Sequence, residues 1–126
     1  MFGRGKKGKG NVGPVRSLTL LEQICGSDKE TYAALHQVLF LDPRKIDTTQ
    51  KQAVDNAKKA EKEKDTAKAR MWYEVAGGLA VYEGNSKKTV EYYGEAQRVG
   101  GEKYLILNNP EPKVAKAQEY YKRLVS

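Results

Sequence analysis

From Leu20 onward, apolar residues recur at three- and four-residue spacing, and no set of segments alternates apolar with polar as half-buried strands do. The pattern predicts an all-α protein. Ser17 or Thr19 is placed to cap a short helix through Leu20, Leu21 and Ile24, which Gly26 ends. Ser27, with Glu30 three residues on, has the spacing of a capping box. The helix it opens, Thr31 to Leu41, carries Tyr32, Leu35, Val38 and Leu39 on one face, and Asp42-Pro43 ends it.

Asp47, paired with Gln50, then predicts the start of a long helix. No glycine or proline follows before Gly77, so the pattern extends to about Tyr82, roughly 50 Å at 1.5 Å per residue. Its second half bears the core stripe Met71, Val75, Leu79 and Tyr82, and whether it is straight or bent at Gly77-Gly78 is left open. Its first half has a seam made only of alanine: Ala53, Ala57, Ala60 and Ala67, with Lys64 between the last two. Such a seam buries little area but lets another helix approach closely. It predicts either a projecting arm or a subunit interface.

Gly84-Asn85 marks a turn, and Ser86 is placed to cap a helix through Val90, Tyr93, Ala96 and Val99 that Gly100-Gly101 stops. Tyr104 to Leu107 is a short apolar run compatible with a helical turn or a strand. Asn108-Asn109-Pro110 and Pro112 read as a loop, and Val114, Ala117, Tyr121 and Leu124 fall on one face of a last helix. The expected architecture is a small helical bundle with one long helix, over residues 17–126, preceded by an extended basic N-terminal arm, residues 1–16.

Charge changes this picture most. The chain has 126 residues and a net charge of +7. The first sixteen residues hold Arg4, Lys6, Lys7, Lys9 and Arg16 and no acid, interleaved with glycine. Residues 17–126 hold 18 Lys and Arg against 16 Asp and Glu, close to neutrality. A segment so poor in apolar residues is expected to be disordered alone, and its composition suits a polyanion. Extended at ~3.3 Å per residue it reaches roughly 50 Å, enough to pass around a duplex. Lys58-Lys59 and Lys87-Lys88 are candidates to extend the phosphate track. The nucleic-acid-binding residues expected are therefore Arg4, Lys6, Lys7, Lys9, Arg16, Lys58 and Lys59.

Other chemistry is thinly represented. Gly3-Arg4-Gly5-Lys6-Lys7-Gly8 fits the dinucleotide fingerprint in letters only, since neither the strand before it nor the helix within it is predicted. Cys25 and His36 are single, which excludes an intrachain disulfide and a thiolate metal cluster. A buried cysteine and a surface or satisfied histidine are expected. Glu61, Glu63 and Asp65 alternate with lysines, as on a solvated helix face. No catalytic residue, metal or cofactor is expected, and no window of eighteen apolar residues predicts a membrane span. Eight tyrosines, including Tyr92-Tyr93 and Tyr120-Tyr121, are read as walls of a small core, or as rings for stacking on nucleic acid or between subunits.

Several resemblances follow from these residues. The Gly-Arg-Gly-Lys opening resembles histone tails, which implies backbone contacts with DNA. Tyr73, Ala76, Gly77, Ala80, Gly84, Tyr93 and Ala96 resemble one tetratricopeptide repeat, although Thr89 and Gly101 depart from its pattern. The same region with Val114 to Leu124 resembles a microtubule-interacting-and-trafficking module. Both imply a helical adaptor for protein partners. The whole plan, a small helical body behind a Gly-rich basic arm, resembles coat proteins of filamentous or rod-shaped archaeal viruses. That resemblance implies a virion subunit assembling helically around double-stranded DNA, with itself or a related coat chain as partner. A chromatin-like or ribosome-associated intracellular protein is a further alternative.

Overall fold

The computed structural model describes residues 19–39 and 42–124. Residues 1–18, and with them the basic arm, lie outside that range. Within it the chain forms six α-helices: α1 (Leu20–Cys25), α2 (Lys29–Val38), α3 (Gln50–Lys62), α4 (Thr66–Glu83), α5 (Ser86–Gly100) and α6 (Pro110–Leu124). Two 3₁₀ turns, Pro43–Lys45 and Leu105–Leu107, lie in the connections. No strand forms among the described residues, and the all-α bundle is as the apolar periodicity predicts.

The predicted long helix is two helices. α3 stops at Lys62, Lys64 takes a left-handed conformation (φ 61°), and α4 runs back from Thr66. The Lys64 and Asp65 amides donate to the Glu61 and Ala60 carbonyls, so the end of α3 is closed by a Schellman motif. Asp65 then accepts from the Lys68 amide at 3.1 Å and caps α4. The next reversal repeats this plan. Gly84 is left-handed (φ 82°), its amide and that of Asn85 donate to the Val81 and Ala80 carbonyls, and Asn85 caps α5 through Lys88. Glu63-Lys64-Asp65 and Glu83-Gly84-Asn85 are thus equivalent turns, and α3, α4 and α5 pack in sequence, each antiparallel to the last.

The turn at Lys64 puts the alanine seam against α4. Ala53, Ala57 and Ala60 are fully buried within the chain, beside Val75, Ala76 and Ala80 or in the Tyr73 cluster. The expected projecting arm does not exist. Along α4 the buried face is Ala69, Tyr73, Ala76, Gly77, Ala80 and Val81, whereas Met71 and Tyr82 of the expected stripe are exposed. α4 remains helical through Gly77-Gly78, and the glycine serves packing. A Cβ at Gly77 would stand 2.5 Å from the ring of Tyr93, which is fully buried on α5.

Three caps and one loop also differ from expectation, the first being α5, which Asn85 and not Ser86 caps. Asp28, not Ser27, caps α2, since its carboxylate accepts from both the Thr31 amide and the Thr31 hydroxyl. Thr49 with Gln52, not Asp47 with Gln50, forms the capping box of α3. The expected loop at Pro110 and Pro112 is the first turn of α6, where a missing amide proton costs nothing. Thr19 with Glu22 forms the capping box of α1, and Gly26 ends it, as expected.

α6 packs on the α4–α5 pair and reaches its Gly84 turn. The Gln118 amide donates to the carbonyls of Val81 and Tyr82 in the last turn of α4, sharing that of Val81 with the Gly84 amide. Val114, Ala117 and Tyr121 of α6 are buried as expected, while Leu124 is exposed. α1 and α2 pack on α6. The Gln37 side chain ties α2 to the segment before α6, donating to the Lys103 carbonyl and accepting from the Leu105 amide. Lys113, buried at the start of α6, donates to Glu30 at 3.2 Å and to the Asn108 carbonyl.

Gly77→Ala is expected to lose about 1–3 kcal/mol, because the buried Tyr93 ring cannot withdraw from the new methyl. Gly94→Ala, on the same bundle with nothing within 4 Å of the added carbon, should instead gain about 0.5–1 kcal/mol. Urea unfolding of the two variants provides the comparison. Lys64→Gly is expected to gain about 1 kcal/mol by relieving the left-handed backbone. A loss on that substitution, measured in the same way, would contradict the turn.

Candidate nucleic-acid interface

Arg4, Lys6, Lys7, Lys9 and Arg16 lie outside the described residues, so the body supplies the geometry that can be described. Lys58 and Lys59 are adjacent on α3 and therefore about 100° apart around it. Lys58 lines a groove of 460 Å3 between α3 and α5, together with Gln50, Lys51, Val54, Asp55, Lys88, Glu91 and Tyr92. Lys59 lines a different pocket, of 230 Å3, with Asn56, Ala60, Glu63, Lys68 and Trp72. The two lysines do not form one track toward a single groove.

The α3–α5 groove brings Lys58 and Lys88 together with one of the paired tyrosines. The Lys88 ammonium lies 5.7 Å from the centre of the Tyr92 ring, a cation–π arrangement. It is also 3.8 Å from Glu91, and Lys51 is 3.3 Å from Asp55. Acids and bases alternate along this groove, which leaves it little net field. Lys87 is exposed on the first turn of α5 and does not line the groove.

The alanines proposed as a subunit interface are placed differently. Ala53, Ala57 and Ala60 are spent on the intrachain α3–α4 contact. Ala67 is exposed on the first turn of α4 and lines a shallow pocket with Thr66, Arg70 and Gly100. The reversal at Lys64 separates it from the other three.

Glu61 is not part of a solvated acidic face. It accepts from the Tyr73 hydroxyl at 2.5 Å and from the Arg98 guanidinium at 2.9 Å, and Arg98 also holds Glu95 at 2.8 Å. This network joins α3, α4 and α5. The Tyr73 hydrogen bond, then that of Arg98, holds the Glu61 carboxyl below the usual carboxylate range against the effect of burial. Burial and then the Glu61 hydrogen bond push Tyr73 up to about 12. Tyr104 donates to Glu74 at 2.5 Å and is likewise raised, chiefly by burial. The Tyr93 hydroxyl has no hydrogen-bond partner among the described residues, and burial raises it well above the ordinary value. Tyr73, Tyr92, Tyr93, Tyr104 and Tyr121 thus wall the core, whereas Tyr32 and Tyr120 are partly exposed and Tyr82 is exposed.

Cys25 is buried, and desolvation pushes its thiol up, the reverse of what a nucleophile requires. His36 is exposed on α2 with its ring 5.8 Å from that of Tyr32. Among the described residues, no three His, Cys, Asp or Glu side chains gather in a metal-binding arrangement. No described helix is long and apolar enough to cross a membrane.

Comparisons with protein-family models, with curated proteins and with solved structures return no match to this chain. The antiparallel pair implied by the tetratricopeptide resemblance is present as α4–α5, with Gly84 at its turn and Tyr93 against Gly77. An antiparallel pair of this kind carries no family by itself. Sequence reading did not single out Trp72, Lys68, Arg98 or the bridging role of Glu61. For Glu61 the available signal was a tyrosine twelve residues later, which is meaningful only once the chain turns at Lys64.

Tyr73→Phe is expected to cost about 1.5 kcal/mol, because a hydrogen bond to a carboxylate is lost. Tyr93→Phe should be neutral or gain up to about 1 kcal/mol by removing an unpaired buried hydroxyl. The pH dependence follows from the same groups. The lowered Glu61 pKa contributes stability above its ordinary value of 4.5, lost as pH falls through the folded pKa. The raised pKa values of Tyr73, Tyr93, Tyr104 and Tyr121 favour the folded state below their ordinary value of 10.0, and that contribution is lost as pH rises above it. Tyrosinate absorbance of these four is expected to appear together with loss of helical circular dichroism, and gradual ionisation in a still helical protein would contradict it.

Proposed function

We propose that this chain is a structural nucleic-acid-packaging protein that holds the backbone of double-stranded DNA without reading its sequence. The observation that carries the reading is the segregation of charge. Five cations and no acid occupy residues 1–16, against near-balance in the remaining chain. The body reinforces the contrast, since Arg44, Lys51, Arg70, Lys88, Arg98 and Arg123 each lie within 4 Å of a carboxylate. Arg4, Lys6, Lys7, Lys9 and Arg16 are the phosphate contacts. Contacts of this kind position a protein on DNA and carry no sequence information, as packaging requires.

In its fuller form the proposal is a coat subunit of a virion, assembling helically around the duplex with further copies or a related chain. Polymerisation would multiply a weak arm contact along the filament. The alanine seam is not the surface that joins subunits, because three of its members are buried within the chain. A second reading, a helical adaptor with a basic tail, is favoured by the α3–α5 groove, which has Val54 and Tyr92 among its charged walls. A chromatin-like or ribosome-associated protein would use the arm in the same manner without forming filaments.

Salt dependence of duplex binding tests the proposal. The slope of log K against log salt is expected near −4 to −5 from about five released counterions. Changing all five arm cations to glutamine in the full-length chain should abolish most of that slope. Negative-stain microscopy with duplex DNA should show filaments. A protein that binds the duplex equally well after the five substitutions does not work in this way. One that stays monomeric and keeps a protein partner is the adaptor.

A further inference from the structure

The reversal at Lys64 has an electrostatic result that the linear sequence does not contain. It gathers Lys59, Lys62, Lys64 and Lys68 at one end of the α3–α4 hairpin, and all four are exposed. On α3, Lys59 and Lys62 lie about 60° apart at 3.6 residues per turn. Unlike the paired cations elsewhere on the body, none of these four has a carboxylate within 4 Å among the described residues. The acids of the same segment are largely committed. Glu61 is held by Tyr73 and Arg98, and Asp65 caps α4, which leaves Glu63.

We infer that this hairpin end is a second, arm-independent contact for the phosphate backbone of double-stranded DNA, centred on Lys59 and Lys68 where they flank Trp72. The inference rests on the nucleic-acid reading above. Lys59 and Lys68 project from opposing helices into the 230 Å3 pocket that Asn56, Ala60, Glu63 and Trp72 complete. Two ammonium groups, with the Asn56 amide beside them, offer donors to phosphate oxygens from two helices. A duplex is favoured over a single strand by the composition of the patch. Single-strand binding relies on successive aromatic platforms, and this end presents four cations and one partly buried indole.

Trp72 is the chain's only tryptophan, so its fluorescence reports on this pocket alone. The test uses the full chain, a short DNA duplex and a single strand of equal length. Lys59→Gln with Lys68→Gln should make the salt slope shallower by about 2 and suppress the Trp72 response to the duplex, with unchanged circular dichroism. Lys29→Gln with Lys45→Gln, two exposed lysines outside this end of the hairpin, is the control for a general loss of charge. The glutamine-substituted arm variant should keep the Trp72 response at low salt. A failed arm hypothesis shows itself only in that variant's affinity. A failed hairpin contact shows itself in an unchanged slope for the Lys59 and Lys68 pair. An equal loss in the control pair, or tighter binding of the single strand with a larger Trp72 response, would likewise overturn the inference.

Discussion

The bundle depends on two main-chain hydrogen bonds at the end of α3. When the Asp65 and Lys64 amides reach back to the Ala60 and Glu61 carbonyls, the helix cannot continue. The Asp65 carboxylate at once supplies the cap from which α4 departs in the opposite direction. One residue, Lys64, bears the cost, with a left-handed backbone that side chains bearing a Cβ disfavour by about 1–2 kcal/mol. The cost is offset by what the reversal allows: Ala53, Ala57 and Ala60 come to lie against α4 with no solvent between.

Small residues set the spacing of the three-helix stack, and tyrosines span it. Alanine on α3 and Gly77 on α4 leave room for close backbones and for the Tyr93 ring. Rings of this size reach from one helix past the next, and their hydroxyls then need partners. Tyr73 finds Glu61 and Tyr104 finds Glu74, so two core residues also act as polar ties between elements. Arg98 balances Glu61 and Glu95 together, and the network fixes the relative positions of α3, α4 and α5 without burying an isolated charge. Tyr93 is the exception, since its core hydroxyl has no partner among the described residues and its ring fills the space that Gly77 opens.

The same geometry sorts the charges. Arg44, Arg70, Arg98, Arg123 and several lysines of the body have a carboxylate within 4 Å, whereas Lys59 and Lys68 at the end of the α3–α4 hairpin have none among the described residues. The arm and that end are two places where cations exceed acids along the chain, and the proposed contacts with a phosphate backbone would use both. The groove between α3 and α5, with its alternating signs, suits a partner that carries both.

Much of this was present in the linear pattern. Apolar spacing carried the all-α class and the faces of α2 and α6, and Gly26, Gly84 and Gly101 marked three helix ends because glycine takes positive φ freely. The segregation of cations into residues 1–16 is likewise a property of the string. The turn at Lys64 was hidden, because lysine is an ordinary helix former and nothing local announces a left-handed residue there. Its consequences were hidden with it: a seam that seemed to await another subunit is filled by α4, and an apparently solvated Glu61 is bonded to Tyr73. Local residue chemistry fixes where helices are favoured. Which helices face one another, and so which alanines are covered and which lysines stand together, follows from a reversal worth only a few kcal/mol that tertiary packing makes favourable.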